Sequence, residues 1–251
     1  AAAHGSPLGE EEVKLVKENF GFDPNKYFDV SDEVLNFYRE AGQKGIEKEN
    51  TWNDLFKEYK NKYKELAEEY ELFASGKLPK DWKKDLPVFK GGDKIETRKA
   101  SGKMLNAIAD YLPNLIGGSA DLAPSTDTNL NQYKSFSSEN FGGRNFHFGI
   151  REHAMGAILN GLALSKFIIP YGATFLIFSD YMRPPIRLAA IMKLRPIYVF
   201  THDSIALGED GTTHQPVEQL IGLRSVPNLT VIRPADANET VQAWRVAIEH
   251  S

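Results

Sequence analysis

Helical spacing of the hydrophobic positions dominates the first part of the chain. Residues 5–22 predict a short helix with glutamates in its first turn and glycine after its end. A second helix is predicted to begin near Ser31, whose side chain can cap it. Thr51 and Asp54 resemble another capping pair, and aromatic residues then recur at steps of three and four over residues 56–73. The pattern predicts a helical segment.

The pattern changes after a stretch rich in Lys, Pro, Gly and Asp at residues 77–93, which predicts an extended linker. We place the domain boundary here, between residues 1–93 and 94–251. Strands are predicted at residues 115–118, 146–150, 167–178, 197–200 and 229–232, the third interrupted by Pro170 and Gly172. Helices are predicted at residues 104–112, 154–162, 182–192, 217–223 and 240–248.

This alternation of strands and helices predicts an α/β fold. We expect a doubly wound, mostly parallel sheet with helices on both faces and right-handed crossovers, preceded by the helical and extended linker segment.

Composition narrows the function classes. The chain has 251 residues, a formal net charge of -4 and no cysteine, which excludes disulfides and thiol catalysis. The modest charge favours neither nucleic acid nor a membrane surface as the main partner. No apolar run approaches the roughly 20 residues of a membrane span. The cytoplasm is the expected compartment, with plastid and peroxisome as open alternatives.

Glu152 stands where a predicted strand, residues 146–150, passes into a predicted helix. In open α/β sheets this junction borders the ligand crevice. A carboxyl group on an apolar platform there is a candidate for a raised pKa and for proton transfer. The alternative is a solvated glutamate in the first helical turn, which the helix dipole favours.

Two further groups of side chains could carry chemistry. Phe175, Phe178 and Tyr181 are spaced three apart, which by itself indicates core packing. His202, Asp210 and His214 follow the predicted strand at residues 197–200, where α/β folds place ligand contacts. Two histidines and an aspartate could also form a metal site, but their spacing matches no helical or finger-type pattern.

The amino-acid sequences of several motifs resemble those of a known family. Gly-Ile-Arg-Glu-His-Ala-Met-Gly at residues 149–156 resembles the glutamate motif of the transketolase family. Other signatures of that family appear in matching order: His-Gly-Ser-Pro-Leu-Gly at 4–9, Thr-Arg-Lys at 97–99, Gly-Gly-Ser-Ala-Asp-Leu at 117–122, Thr-His-Asp-Ser at 201–204, Gly-Glu-Asp-Gly at 208–211 and His-Gln-Pro at 214–216. The resemblance covers nearly the whole chain, and the string at residues 201–216 is highly specific.

The resemblance implies the pyrimidine-binding domain of a transketolase with its N-terminal approach, incomplete at its C-terminal end. That family transfers a two-carbon ketol unit reversibly from a ketose phosphate to an aldose phosphate with thiamine diphosphate. We expect Mg²⁺ as a further cofactor, with its ligands in a thiamine diphosphate-binding domain that precedes this chain. A homodimer with the cofactor at the subunit interface is also implied. The chain alone is then expected to be inactive.

The resemblance assigns cofactor contacts. It makes Glu152 the catalytic residue, hydrogen-bonded to a ring nitrogen of the cofactor's aminopyrimidine. Phe178, with Phe175 and Tyr181, becomes the aromatic wall of the aminopyrimidine. Asp121 becomes a polar contact near the cofactor, although a turn-forming aspartate explains it nearly as well.

The resemblance also assigns substrate contacts. Arg98, Ser125 and His202 match the sugar-phosphate end, and the planar fork of an arginine suits phosphate oxygens. Asp210 would accept from a substrate hydroxyl, and His214 would meet the hydroxyl beside the ketose carbonyl. His4 matches a histidine between cofactor and substrate, and on composition alone it is a terminal-tail residue.

Three alternatives stay open from the sequence. Dihydroxyacetone synthase shares these motifs and uses formaldehyde as acceptor. A deoxyxylulose phosphate synthase or a 2-oxoacid dehydrogenase subunit fits less well, because neither explains Arg98, Ser125 and His202 together. A non-catalytic chain that only binds or assembles is the alternative from another class.

Overall fold

The computed structural model describes residues 2–250, which divide into two compact units between Ala67 and Glu68. The first unit is helical. It contains a 3₁₀ turn at Ala2–His4, α1 at Glu10–Asn19 and α2 at Asp32–Lys62. The division between the units falls within α3, Lys64–Ala74.

Local capping explains the start and end of these helices. Gly21, just after α1, adopts φ 74°, a left-handed conformation that suits glycine. Ser31 caps α2, because its hydroxyl accepts from the backbone N–H of Val34 at 3.4 Å. Both sequence predictions are confirmed.

The predicted capping pair at Thr51 and Asp54 is wrong. Both residues lie inside α2, and the Thr51 hydroxyl donates to the carbonyl of Glu47 at 2.9 Å. The hydroxyl of a threonine inside a helix can donate to a carbonyl of the preceding turn, so this capping pattern does not mark the start of a helix here. The helix predicted over residues 56–73 is instead divided at Tyr63, whose φ of -131° separates α2 from α3.

The second unit is an α/β fold built on four parallel strands, in the order β2-β1-β3-β4. The strands are β1 Leu115–Ser119, β2 Asn145–His147, β3 Ile169–Phe175 and β4 Ile197–Thr201. The helices are α4 Thr97–Ala109, α5 Ala123–Thr126, α6 Glu152–Leu164, α7 Arg183–Ile191, α8 Gln219–Arg224 and α9 Ala237–Glu249. The predicted fold class is confirmed.

Hydrophobic cores cover both faces of the sheet. The side chains of β4 alternate between the two cores. Ile197 and Val199 pack with α4 and α9, whereas Tyr198 and Phe200 pack with α6 and α7. Trp244 of α9 also donates to the hydroxyl of Ser101 in α4 at 2.7 Å, so the polar edge of this buried ring has a partner.

Two glycines allow the central strand β1 to lie between its neighbours. A Cβ at Gly117 would stand 2.0 Å from the Tyr171 carbonyl oxygen of β3. One at Gly118 would stand 1.8 Å from the Phe146 carbonyl oxygen of β2. Because these are backbone atoms held in the sheet, neither position accepts a side chain without displacing a strand.

Three strand predictions need correction. Residues 229–232 form no strand, although Leu229 and Val231 pack against the core that contains α6 and α7. The strand predicted at 146–150 is limited to Asn145–His147. Pro170 and Gly172 do not interrupt β3, whose pairing with β1 runs through both.

The predicted linker at residues 77–93 contains turns and no helix or strand, as expected. It is not a free tether, because Trp82 is 3% exposed and packs into the core formed with α4 and α9. Within residues 2–250, none of the helices combines the length and apolar character that crossing a bilayer requires. The domain boundary at residue 93 stays a prediction.

Arg144 lies at the end of the sheet where β1 and β2 begin. Its side chain is buried, and its guanidinium donates to the carbonyls of Ala109, Leu112 and Leu115 at 2.8–3.1 Å. The guanidinium carbon also lies 4.0 Å from the ring centroid of Tyr133. One cation thus satisfies the carbonyls of Ala109 at the end of α4 and of Leu115 in β1, and it shares the Leu112 carbonyl with the backbone N–H of Leu115.

We therefore expect Arg144→Met to lower the free energy of unfolding by about 3 kcal/mol or more. The thioether cannot donate, and each orphaned buried carbonyl costs about 1–3 kcal/mol. Urea unfolding with an unchanged slope measures this loss. The matched control is Arg245→Met, which removes an exposed pair with Glu249 at 3.3 Å and should cost less than about 1 kcal/mol. Equal losses in the two variants would contradict the role of Arg144.

Candidate functional site

The carboxyl ends of the parallel strands gather most of the predicted site residues at one edge of the sheet. Phe175 ends β3 and pairs in register with Thr201, which ends β4. His202 follows directly, and Glu152 begins the helix after β2. This edge is where open α/β sheets place their ligands.

Glu152 is the first residue of α6, and it is only 7% exposed. This burial excludes the alternative of a solvated first-turn glutamate. The hydroxyl of Thr174, itself fully buried in β3, donates to the Glu152 carboxylate at 3.5 Å. In the described part of the chain this long contact is the one side-chain hydrogen bond recorded for that carboxylate. A buried carboxylate can accept several hydrogen bonds, so Glu152 keeps capacity for a ligand.

The aromatic residues form a ladder at the end of β3, which we call the aromatic wall: Phe175, Phe178 and Tyr181. The chain passes from β3 into a 3₁₀ helix, Leu176–Met182, in which residues three apart lie above one another. Phe175 and Phe178 are nearly parallel at 10° with centroids 5.9 Å apart, and Tyr181 follows at 6.0 Å. Exposure rises along the ladder from 6% at Phe175 to 65% at Tyr181.

The two predicted loop histidines contact this wall. The His202 ring stacks on Phe175 with a centroid distance of 3.8 Å. His214 meets Phe178 edge to face at 5.2 Å and Phe175 at 6.0 Å. Both imidazoles therefore share the aromatic wall, although twelve positions of loop separate them in the sequence.

His202 is held in an unusual backbone conformation. Its φ is 53°, a left-handed value that costs a non-glycine residue about 1–2 kcal/mol. The stacking on Phe175 and a 2.9 Å hydrogen bond between its Nδ1 and the Thr201 hydroxyl offset this cost. Burial, and then the charge of Arg98, lower the pKa of His202, which favours the neutral ring. Asp210 opposes the shift, which places its charge near the same histidine.

Arg98 and Ser125 also meet. A guanidinium nitrogen of Arg98, near the start of α4, donates to the carbonyl of Ser125 in α5 at 2.8 Å. The same guanidinium pairs with Glu96 at 2.5 Å. Because these two contacts use part of the fork, other N–H donors of Arg98 remain for an anion.

The other two predicted residues are Asp121, in the second unit, and His4, in the first. Asp121 is exposed in the turn after β1 with φ 64°, which fits its turn-forming explanation. His4 is exposed in the 3₁₀ turn of the first unit. Its assignment stays a prediction.

Two residues of this edge were not predicted from the sequence. Thr174 contacts Glu152, and its place near the carboxyl end of a predicted strand was a usable signal. Gln219 is 1% exposed and donates to the Asp180 carboxylate at 2.8 Å, between Phe178 and Tyr181. No local pattern marks a polar residue at a helix start as buried.

The side chains at this edge fit a ligand that contains a flat, weakly basic heteroaromatic ring. The aromatic wall offers a surface for stacking, and Glu152 offers a buried carboxylate for a ring nitrogen. Among residues 2–250, no three His, Cys, Asp or Glu side chains are close enough together to hold a metal ion.

Two family models match the chain. Residues 93–251 match "Transketolase, pyrimidine binding domain", and residues 1–79 match "Transketolase, thiamine diphosphate binding domain". The second match corrects the expectation that the thiamine diphosphate-binding domain lies entirely outside this chain. The helical first segment is similar to part of that domain.

Individual relatives agree with these matches. A transketolase of Halalkalibacterium halodurans is 52% identical over 99% of this chain. Among solved structures, a transketolase from Leishmania mexicana has a TM-score of 0.91 and 45% identity over 99% of the chain. A Pichia stipitis transketolase complex with sedoheptulose 7-phosphate has a TM-score of 0.90 and 43% identity, also over 99%.

The chain spans about 37–38% of the length of these relatives. The pyrimidine-binding model nonetheless covers more than half of the chain, and the identity extends over nearly all of it. This chain therefore belongs to the transketolase family.

Proposed function

We propose that this chain forms part of a transketolase that transfers a two-carbon ketol unit reversibly from a ketose phosphate to an aldose phosphate. The observation that carries the proposal is Glu152, buried at the carboxyl edge of a parallel sheet and hydrogen-bonded to Thr174, the residue before Phe175 of the aromatic wall. The reported relatives are named transketolases, which favours this reaction over dihydroxyacetone synthase. A cytoplasmic location, as expected from the sequence, is part of the proposal.

The cofactor in this proposal is thiamine diphosphate with Mg²⁺. When bound, it supplies the electron sink that cleavage beside a ketose carbonyl requires. Glu152 would hold a proton at a nitrogen of the aminopyrimidine, and Phe178 would stack on that ring. The buried position of Phe175 supports Phe178 from behind and keeps water from this side.

The substrate would lie beyond the cofactor, toward the loop that carries both histidines. Arg98, with Ser125 and His202, would receive the phosphate, since a guanidinium suits planar, charge-assisted recognition of phosphate oxygens. Asp210 would accept from a sugar hydroxyl, and His214 would contact the hydroxyl beside the carbonyl. The solved relative in complex with sedoheptulose 7-phosphate supports a sugar phosphate as the ligand class.

A homodimer with the cofactor at the subunit interface completes the proposal. Tyr181 and Ile150, both beside the proposed cofactor position, are 65% and 80% exposed. Exposed apolar side chains at a ligand-binding edge indicate a surface that another protein surface covers. The Mg²⁺ ligands would come from outside the residues of this chain.

The first test concerns Glu152. In the enzyme that contains this chain, Glu152→Gln should slow exchange of the thiazolium carbon proton by about 10²–10⁴-fold, because a glutamine cannot deliver the proton. Cofactor affinity should change little, since the side-chain shape is kept. Exchange into deuterium oxide, followed by NMR of quenched cofactor, measures the rate.

The matched control for this test is Glu139→Gln, an exposed glutamate on the loop before β2. It should leave the exchange rate unchanged. An unchanged rate in Glu152→Gln would remove Glu152 from proton transfer.

The second test concerns Arg98. Arg98→Ala should raise KM for phosphorylated sugars roughly ten- to hundredfold, because a hydrogen bond to a charged group contributes about 1.5–3 kcal/mol. KM for unphosphorylated sugars should change far less. Lys99→Ala, which removes the neighbouring exposed cation, is the control for general charge. Equal penalties on both substrate classes would mean that Arg98 is structural.

The third test concerns residues 1–251 alone. We expect no ketol transfer and only weak cofactor binding, because the aromatic wall and Glu152 recognise just the aminopyrimidine end. Calorimetric titration with thiamine diphosphate and Mg²⁺ measures the affinity. Micromolar binding that depends on Mg²⁺ would show that the diphosphate site lies within this chain.

A further inference from the structure

A buried glutamine joins the two elements that carry the aromatic wall and the histidine loop. Gln219 begins α8, and its amide nitrogen donates to the Asp180 carboxylate at 2.8 Å. Asp180 belongs to the 3₁₀ helix, Leu176–Met182, that carries Phe178 and Tyr181. The amide oxygen of Gln219 accepts from the backbone N–H of Val217 at 2.9 Å. One side chain therefore connects the 3₁₀ helix to the chain that follows His214.

The loop between β4 and α8, residues 202–218, has few other recorded attachments. At its start Asp203 accepts from Arg233 at 2.6 Å. Within the loop, Gln215 donates to the carbonyl of Leu207, so that bond folds the loop on itself and does not connect it to the 3₁₀ helix. Among the hydrogen bonds of the described residues, the bridge through Gln219 is the one that ties the end of the loop to the 3₁₀ helix.

Residue 219 must donate one hydrogen bond and accept another to form this bridge, which the side-chain amide of a glutamine does. Position 219 is 1% exposed, so an unpaired polar atom there would carry a desolvation penalty. The side-chain amide of Gln219 both donates to the Asp180 carboxylate and accepts from a backbone N–H. A leucine would offer neither function, and a glutamate would place two carboxylates together.

We propose that Gln219 is a positioning residue, which fixes the ring of His214 against Phe178 by holding the end of the loop to Asp180. The contact it sets is the edge-to-face approach with a centroid distance of 5.2 Å. The importance of this contact for catalysis rests on the proposed function, in which His214 meets the substrate and Phe178 the cofactor. The geometry itself does not depend on that function.

The experiment measures the ring contact directly in the chain without cofactor or substrate. Nuclear Overhauser contacts between the ring protons of His214 and Phe178 should be present in the unsubstituted chain. Asp180→Ala and Gln219→Leu should each abolish them, because either change breaks the bridge. Asp180→Asn should keep them, since the asparagine oxygen still accepts from Gln219.

The control is Asn160→Leu, a buried amide on the same side of the sheet. Asn160 is 8% exposed and donates to the carbonyl of Pro185 at 2.9 Å, so its loss should lower the melting temperature. It should leave the ring contact intact. Asp180 is exposed, so Asp180→Ala gives a folded variant that decides the question even where Gln219→Leu fails to fold.

Persistence of the ring contact in Asp180→Ala would overturn the proposal. Its loss in Asn160→Leu as well would also overturn it, because the contact would then follow general stability. Neither outcome bears on ketol transfer, which the Glu152 and Arg98 variants test separately.

Discussion

The pairing of Phe175 with Thr201 across β3 and β4 is the constraint on which the candidate site depends. It brings the last residue of β3 level with the last residue of β4. His202 then starts its loop beside Phe175, and the two rings stack at 3.8 Å. A shift of one residue in this register would turn Phe175 to the other face of the sheet and separate the rings. On the other edge of β3, the two glycines of β1 let the backbones of β2 and β3 approach β1 closely.

A charged residue that stabilises the fold and the charged candidate site residues lie at opposite ends of the strands. At the end where β1 and β2 begin, Arg144 is fully engaged with backbone carbonyls. At the carboxyl end, Glu152 receives one long hydrogen bond, and Arg98 keeps donors in reserve. A buried charge with all its partners in the protein rigidifies a fold, whereas one with capacity left can bind a ligand. This difference, more than burial alone, distinguishes a structural cation from a candidate site residue.

Sequence patterns predicted the elements whose signals are local. The cap at Ser31, the helix that begins at Glu152 and the strand at 197–200 follow from side chains near one another in the chain. Thr51 and Asp54 misled because a capping pattern inside a long helix is overridden by the helix on both sides. Residues 229–232 have a strand pattern, and the pattern correctly indicated partial burial of Leu229 and Val231. A strand also needs a hydrogen-bonding neighbour, and no local pattern reports one. In the structure this segment and β4 both line one cavity of about 1100 Å³, and among the described residues they form no strand pair.

The same limit applies to the site, where motif resemblance named the residues but not their contacts. Nothing in the sequence indicates that His202 stacks on Phe175, or that Arg98 lowers the pKa of a histidine about a hundred positions away. Those relations arise when strand register brings distant loops to one edge. Gln219 shows the consequence most clearly, because its importance lies entirely in joining two such loops. A residue of this kind matches no chemical motif, since its hydrogen bonds go to Asp180 and to the backbone of Val217. It is found only by following how each buried polar group in the structure is satisfied.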